Sequence, residues 1–241
     1  MSAPLPFSLA DGYIMQEDFL DNGNSAATTA LGTQDWIMAA IGNASATVYL
    51  VTTDTGVGQY GVIRDTTANT GDGDGEWYHL DDDSVVLGPS GGSFRMKFRF
   101  PDIAGNLIAG NNIKFGLYDA TTPLNGIYVY VDSGIPILHI DSTANGDVSV
   151  TAASVPSLTS GTTCVKGTWY DIRVDFWGEN ASGGPDSARM FINGEFGGEL
   201  VGVGLIDDGE EVEPGFQHWQ DTGGVATLEA DFDFFEVFLA R

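Results

Sequence analysis

The sequence predicts an all-β domain, a two-sheet antiparallel jelly-roll sandwich with an extended N-terminal arm. Three observations predict it. Apolar and polar residues alternate strictly in three long segments, the mark of half-buried strands. Thirty-three glycines punctuate short apolar runs along the whole chain. No segment carries the 3.6-residue period of an amphipathic helix.

The three long segments come first. From Ser93 to Phe100, Phe94, Met96, Phe98 and Phe100 share one face, and Ser93, Arg95, Lys97 and Arg99 share the other. From Trp169 to Trp177, Tyr170, Ile172, Val174 and Phe176 oppose Trp169, Asp171, Arg173, Asp175 and Trp177. From Leu228 to Phe234, Leu228, Ala230, Phe232 and Phe234 oppose Glu229, Asp231 and Asp233. The alternation breaks at Phe234-Phe235, which predicts a β-bulge or a stretch covered on both faces.

Shorter strands are expected near 46–51, 60–64, 77–80, 113–118, 127–131, 136–140, 147–152, 188–193 and 199–204. Asn193-Gly194, Asn145-Gly146 and Asn125-Gly126 supply turns, since glycine accepts a positive φ. Many short strands with glycine-rich turns make a sandwich or a barrel.

Residues 1–16 read as the arm, with Pro4 and Pro6 against regular pairing and Asp11-Gly12 as a turn. One domain then runs over 17–241 from Glu17. Gly178–Pro185 reads as a loop tip and Asp207–Pro214 as an acidic loop, with no linker and no internal repeat.

Charge narrows the function. Nine Lys and Arg face thirty-four Asp and Glu, for a formal net charge of -25. That surface repels phosphate backbones and anionic bilayers, so neither nucleic acid nor membrane is an expected partner. It suits a saline medium, where screening weakens self-repulsion. The one cysteine, Cys164, forms no internal disulfide and reads as a buried, inert thiol. The start, Met1 to Phe7, has neither a basic region nor a long apolar stretch, so no secretory signal is expected there.

Four features could carry chemistry. Asp231-Phe232-Asp233-Phe234-Phe235-Glu236 is similar to the Glu-x-Asp-x-x-Glu strand of laminarinase-type glycoside hydrolases, which share the jelly roll. A retaining glycosidase needs carboxyl groups about 5–5.5 Å apart, and the shorter Asp231 breaks that spacing. Hence no catalytic residue and no enzyme is expected. Asp72, Asp74 and Glu76, in a run alternating with glycine, could wrap a calcium ion, but a solvated turn explains them as well. No other cofactor is expected. Trp77, Tyr128, Tyr130, Trp169 and Trp177 form an outward aromatic set, suited to a subunit interface or a glycan platform. Arg95, Lys97 and Arg99 form a cationic strand face, which Asp171 and Asp175 could pair. His79, His139 and His218 match no metal-ligand spacing.

Two resemblances follow from these residues. Gly167–Val174 with Ala188–Glu195 resembles the laminin-G-type hairpin of concanavalin-like lectin folds, in which a Trp-Tyr strand precedes one ending in Asn-Gly. Over most of 17–240 the chain is similar to structural proteins of tailed bacteriophages. The likeness rests on Glu17-Asp18-Phe19-Leu20, Trp36, the glycine-rich Gly58–Thr66, the Phe-Arg strand and the Trp-Tyr hairpin. The usual Pro-Gly of the glycine-rich stretch is Tyr60-Gly61 here.

The second resemblance implies a non-enzymatic virion component, made in the host cytoplasm and carried on the capsid surface or the tail. The leading expectation is a capsid decoration protein that binds other virion proteins, such as major capsid or tail subunits. Homo-oligomerisation is expected, with a trimer among its forms. The alternative is a glycan-binding module of a tail or fibre. A glycoside hydrolase or polysaccharide lyase ranks third.

Overall fold

The computed structural model describes residues 12–17, 30–31, 36–42, 47–50, 62–67, 73–80, 85–88, 90–143, 146–153, 155–158, 162–178, 184–202, 211–221 and 227–240. They form seventeen strands and no helix. In order these are β1 (Gly12–Glu17), β2 (Ala30–Leu31), β3 (Trp36–Ile41), β4 (Thr47–Leu50), β5 (Ile63–Thr66) and β6 (Gly75–His79). Then come β7 (Val85–Val86), β8 (Gly92–Arg99), β9 (Asn111–Tyr118), β10 (Gly126–Asp132), β11 (Ile135–Ser142) and β12 (Gly146–Thr151). The last five are β13 (Tyr170–Trp177), β14 (Ser187–Ile192), β15 (Glu195–Leu200), β16 (Glu211–Gln220) and β17 (Glu229–Ala240).

Two antiparallel sheets form the sandwich. The eight-stranded sheet runs β15-β14-β13-β8-β17-β5-β4, with β1 also on β17. The nine-stranded sheet runs β12-β11-β10-β9-β16-β6-β3-β2, with β7 also on β16. Neighbours such as β8 and β17 are far apart in sequence, as a jelly roll requires.

The inward rows of the alternating segments meet between the sheets. Phe94, Met96, Phe98, Ile172, Val174, Phe232 and Phe235 from one sheet pack with Phe115, Val129, Leu138 and Phe216 from the other. Phe216 sits among Trp36, Tyr78 and Phe232, with ring centroids 5.5, 4.5 and 5.0 Å away. Cys164 lies buried in this core, and burial pushes its thiol well above the usual range.

One polar group crosses the core. His218 of β16 contacts Asp65 of β5 through Nδ1 at 2.9 Å and Asn111 of β9 through Nε2 at 2.8 Å. The Asn111 amide nitrogen donates to the Leu107 and Glu229 carbonyls. Its oxygen therefore faces the ring, and Nε2–H donates to it. All three side chains are fully buried, so this group ties the two sheets together through buried polar contacts, with the second Asp65 oxygen left without a hydrogen-bond partner among the described residues.

Several expectations shift. The stretch read as an arm contributes a strand: β1 pairs β17 from Gly12–Ala240 to Glu17–Phe235 and buries Met15. Residues 12–16 are thus part of the sheet rather than an arm, with Met15 buried; residues 1–11 lie outside the described residues. Asp207–Pro214 was expected as a loop, yet β16 begins at Glu211. Pro214 is accommodated because its missing N–H falls where β16 passes from β7 to β6. The strand expected at 199–204 is β15, ending at Leu200. Its turn holds the expected Asn193-Gly194 pair, at φ of 50 and 82°. The break in β17 is a bulge between Phe232 and Phe234. It turns Phe234 outward and returns Phe235 and Val237 to the core.

Candidate functional site

The outer face of the eight-stranded sheet is a ladder of ion pairs. Asp231 accepts from Arg64 at 2.5 and 2.9 Å and from Arg99 Nε at 2.7 Å. Lys97 pairs with Asp233, and Arg95 Nε donates to Asp171 at 2.6 Å. Arg173 donates to Asp175 at 3.1 Å, and Arg189 to Glu199 at 3.0 Å. The cationic row of β8 is thus taken up by β17 and β13. Its cations also cover the outward tryptophan at position 169, with Lys97 and Arg99 at 5.1 and 4.8 Å from the Trp169 ring.

The ladder opens at one end of β8. Opposite Trp177 stands Gly91, which brings no side chain. Ser93 pairs with Asp175 on one side and Phe238 on the other. Neighbouring strands lie about 4.8 Å apart, so Asp175 and Phe238 flank Ser93, and Trp177 stands one step further along, in line with Gly91 and Ala240, over a floor of small residues. The result is a slot of about 530 Å³ with Arg95, Arg173, Asp175 and Glu236 at its rim. That volume is in the range of small-molecule sites. A second hollow of about 290 Å³, lined by Asp171, Phe191 and Gly194, shares Arg95 and Arg173 and prolongs the slot toward the β14–β15 turn. Partial burial raises the Glu236 carboxyl above its usual range, with Arg95 opposing.

The acidic motif is split by this geometry. The bulge separates Asp231, clamped in its arginines, from Asp233 on Lys97, while Glu236 faces the slot beside Arg95. Asp231 and Asp233 are each held by their own cations, while Glu236 lies near an Arg95 that pairs with Asp171, so the three are not arranged as a paired acid and nucleophile.

The outer face of the nine-stranded sheet is an aromatic layer. Trp77 stacks on His79 at 3.9 Å and on Tyr118 at 6.3 Å. Tyr128 meets Tyr118 edge-on at 5.9 Å and stacks on His139 at 4.9 Å. Tyr130 stacks on Trp219 at 5.3 Å. Carboxylates fix the histidines: Nδ1 of His79 lies 2.8 Å from Glu213, and Nδ1 of His139 lies 2.9 Å from Asp147. Burial raises the Tyr130 hydroxyl to about 12.

Gly215 makes the layer possible. A Cβ there would lie 3.0 Å from Trp77 Nε1 and 3.2 Å from the Tyr118 hydroxyl. Gly215→Ala is therefore expected to cost about 1–3 kcal/mol through overpacking, read as a lowered denaturation midpoint with altered tryptophan fluorescence. An unchanged midpoint would show that the layer yields freely.

Of the aromatic set proposed from sequence, Trp77, Tyr128 and Tyr130 lie in this layer, and Trp169 and Trp177 on the opposite sheet. Trp219 and Phe238 were not anticipated. Trp219 alternates with Gln217 on β16, but the proline and acids before it read as a loop. Phe238 lies past the bulge, where the alternation changes phase. Asp72 lies outside the described residues. Asp74 is buried, and Glu76 shares the inward face of β6 with Tyr78, whose hydroxyl burial raises far above its usual range. Among the described residues no three His, Cys, Asp or Glu side chains cluster to hold a metal.

No family model and no curated protein matches the sequence. Solved structures do match in fold. A protein of unknown function from Shewanella oneidensis MR-1 superposes with a TM-score of 0.61 at 11% identity, over 99% of this chain and 94% of that one. The carbohydrate recognition domain of Emp47p gives 0.56 at 11% identity, over 98% and 100%. The binding domain of botulinum neurotoxin serotype D gives 0.55 at 11% identity, over 96% of this chain and 49% of that one. The fold is a concanavalin-like jelly roll. Its neighbours include carbohydrate-recognition and receptor-binding domains.

Proposed function

We propose that this chain is a non-catalytic carbohydrate-binding module, and that the slot above Ser93 holds the sugar. The observation that carries this is the slot itself, lined by both Trp177 and Phe238 over a floor of small residues and rimmed by arginine and carboxylate groups. Aromatic faces stack on the C–H faces of a pyranose, and charged donors and acceptors at the rim bond its hydroxyls. The adjoining hollow gives the next sugar of a chain a place beside the same two arginines. Carbohydrate-recognition domains of the same fold support the reading without deciding it.

The resemblance to tailed-phage structural proteins supports a virion as the carrier, with the module on a tail or fibre where host glycans are met. Homo-oligomerisation belongs to the same proposal, since several weak slots on one particle bind far more tightly than one. Decoration of the capsid by docking on neighbouring subunits is the role that remains if the slot takes no sugar.

The test is an array of host surface polysaccharides, followed by titration of any hit. Trp177→Ala is expected to weaken binding about 10-fold or more, as losing one stacking platform costs roughly 1–3 kcal/mol. Trp77→Ala, on the other sheet, leaves it unchanged. Absence of binding, or binding indifferent to Trp177→Ala, overturns the slot. Counting copies of the chain in purified virions tests the carrier.

A further inference from the structure

Lys114 stands apart from the other cations. It projects from β9 into the aromatic layer and is only 8% exposed. Every other described lysine or arginine has a carboxylate within 4 Å. Among the described residues no carboxylate lies within 4 Å of Lys114. Its Nζ donates to the Thr121 carbonyl at 3.0 Å, and the rings of Tyr118, Tyr128 and Trp219 lie 5.9, 5.4 and 5.5 Å away. One hydrogen bond and three π faces leave two of its N–H donors without an anion.

Those donors border a cavity. It measures about 240 Å³ and is lined by Ile41, Gly73, Lys114, Thr121, Thr122, Gln217 and Trp219. That is below the range of drug-sized sites and suits a single ring. Trp219 gives it an aromatic wall, braced from behind by Tyr130. Gln217 is held by the same Thr121 carbonyl at 3.3 Å. The cavity thus combines an aromatic wall, a fixed amide, two threonines and a buried cation that has no counter-ion among the described residues.

We propose that this cavity is a second ligand site, on the sheet opposite the slot, and that it takes a carboxylate-bearing sugar of the uronate class. The carboxylate supplies the counter-ion that Lys114 lacks, and the sugar ring lies along Trp219. Lys114 has already lost its water in the free protein, so an entering carboxylate gains a charged hydrogen bond without that part of the desolvation cost, and the acid group rather than the hydroxyls sets the selectivity. The Asp141 carboxylate acts on Lys114 electrostatically without pairing with it.

Glucuronate, glucose and acetate are the probes, with binding to the full chain followed by calorimetry and by saturation-transfer NMR. Glucuronate is expected to bind saturably, acetate to compete weakly, and glucose at equal concentration not to bind. Lys114→Met, in which a thioether fills the same aromatic surround, is expected to lower glucuronate affinity about 10-fold to 100-fold, the scale of a lost charged contact. Trp219→Ala lowers it as well and serves as the second variant. Trp177→Ala, in the slot, leaves it unchanged, so failure of one site does not imply failure of the other. Glucose binding as well as glucuronate, no saturable uptake, or uptake unaffected by Lys114→Met overturns the proposal.

Discussion

Asp231→Ala is expected to cost about 3–5 kcal/mol of folding stability, the penalty for removing one partner of a buried ion pair. Asp231 is fully buried and accepts three charged hydrogen bonds, two from Arg64 and one from Arg99. The arginines come from β5 and β8, which flank β17 at Asp231. The carboxylate therefore neutralises two guanidinium groups that would otherwise face each other with little access to water. Alanine leaves both charges in place and removes the counter-ion they share, with Glu229 remaining 3.3 Å from Arg64. At roughly 2–4 °C per kcal/mol for a domain of this size, the melting temperature falls by about 6–20 °C. Asp171→Ala is the control, because the Arg95–Asp171 side chains are 41% and 28% exposed. Such a pair is worth at most about 1 kcal/mol. Chemical denaturation of both variants decides the matter, and an Asp231→Ala shift no larger than that of Asp171→Ala would refute the clamp.

The same residue shows how far the sequence could be read. Asp231 stood out as a near-miss to a catalytic carboxylate, and its role as a clamp depends on Arg64, 167 positions away. Alternation is a local signal, so β8 and β13 emerge in place and with the right inward faces. Pairing across the sandwich is non-local and leaves no trace in a single sequence. That is why the β8 cations could be assigned complementary acids on β13 but not their partners Asp231 and Asp233 on β17. β16 was missed for a different reason: Pro214 and its acidic neighbours carry turn chemistry that the central position of the strand overrides. The aromatic layer was half visible. Trp77, Tyr128 and Tyr130 are outward by alternation, but the glycine that lets Trp77 approach Tyr118 belongs to the unrecognised strand. The slot was less visible still, since it is made by what Gly91 and Ser93 lack rather than by any motif.

Lys114→Met is expected to stabilise the protein at neutral pH by up to about 3 kcal/mol. Burial is the main cause that brings the ammonium down from 10.5 to about 8, with Asp141 pulling it back up. Each unit is worth about 1.4 kcal/mol of preference for the neutral form. The folded value lies below the unfolded one, so the unfolded chain holds the proton more tightly. The charged lysine therefore destabilises the fold by its full amount below pH 8, and the cost fades as pH rises from 8 toward 10.5. Denaturation of the two proteins from pH 6 to 10.5 should show a gap that is widest at the acid end and narrows above pH 8. A variant less stable than the parent at pH 7 would mean that the three aromatic faces more than repay the buried charge. If the gap is found, the parent keeps a buried cation without a counter-ion at a standing cost to its own fold. Stability given up in this way is characteristic of binding sites, where a group is kept ready for a ligand rather than for the fold. Added glucuronate should then raise the melting temperature of the parent and not of the variant, because the ligand restores the missing charge only where the lysine is present.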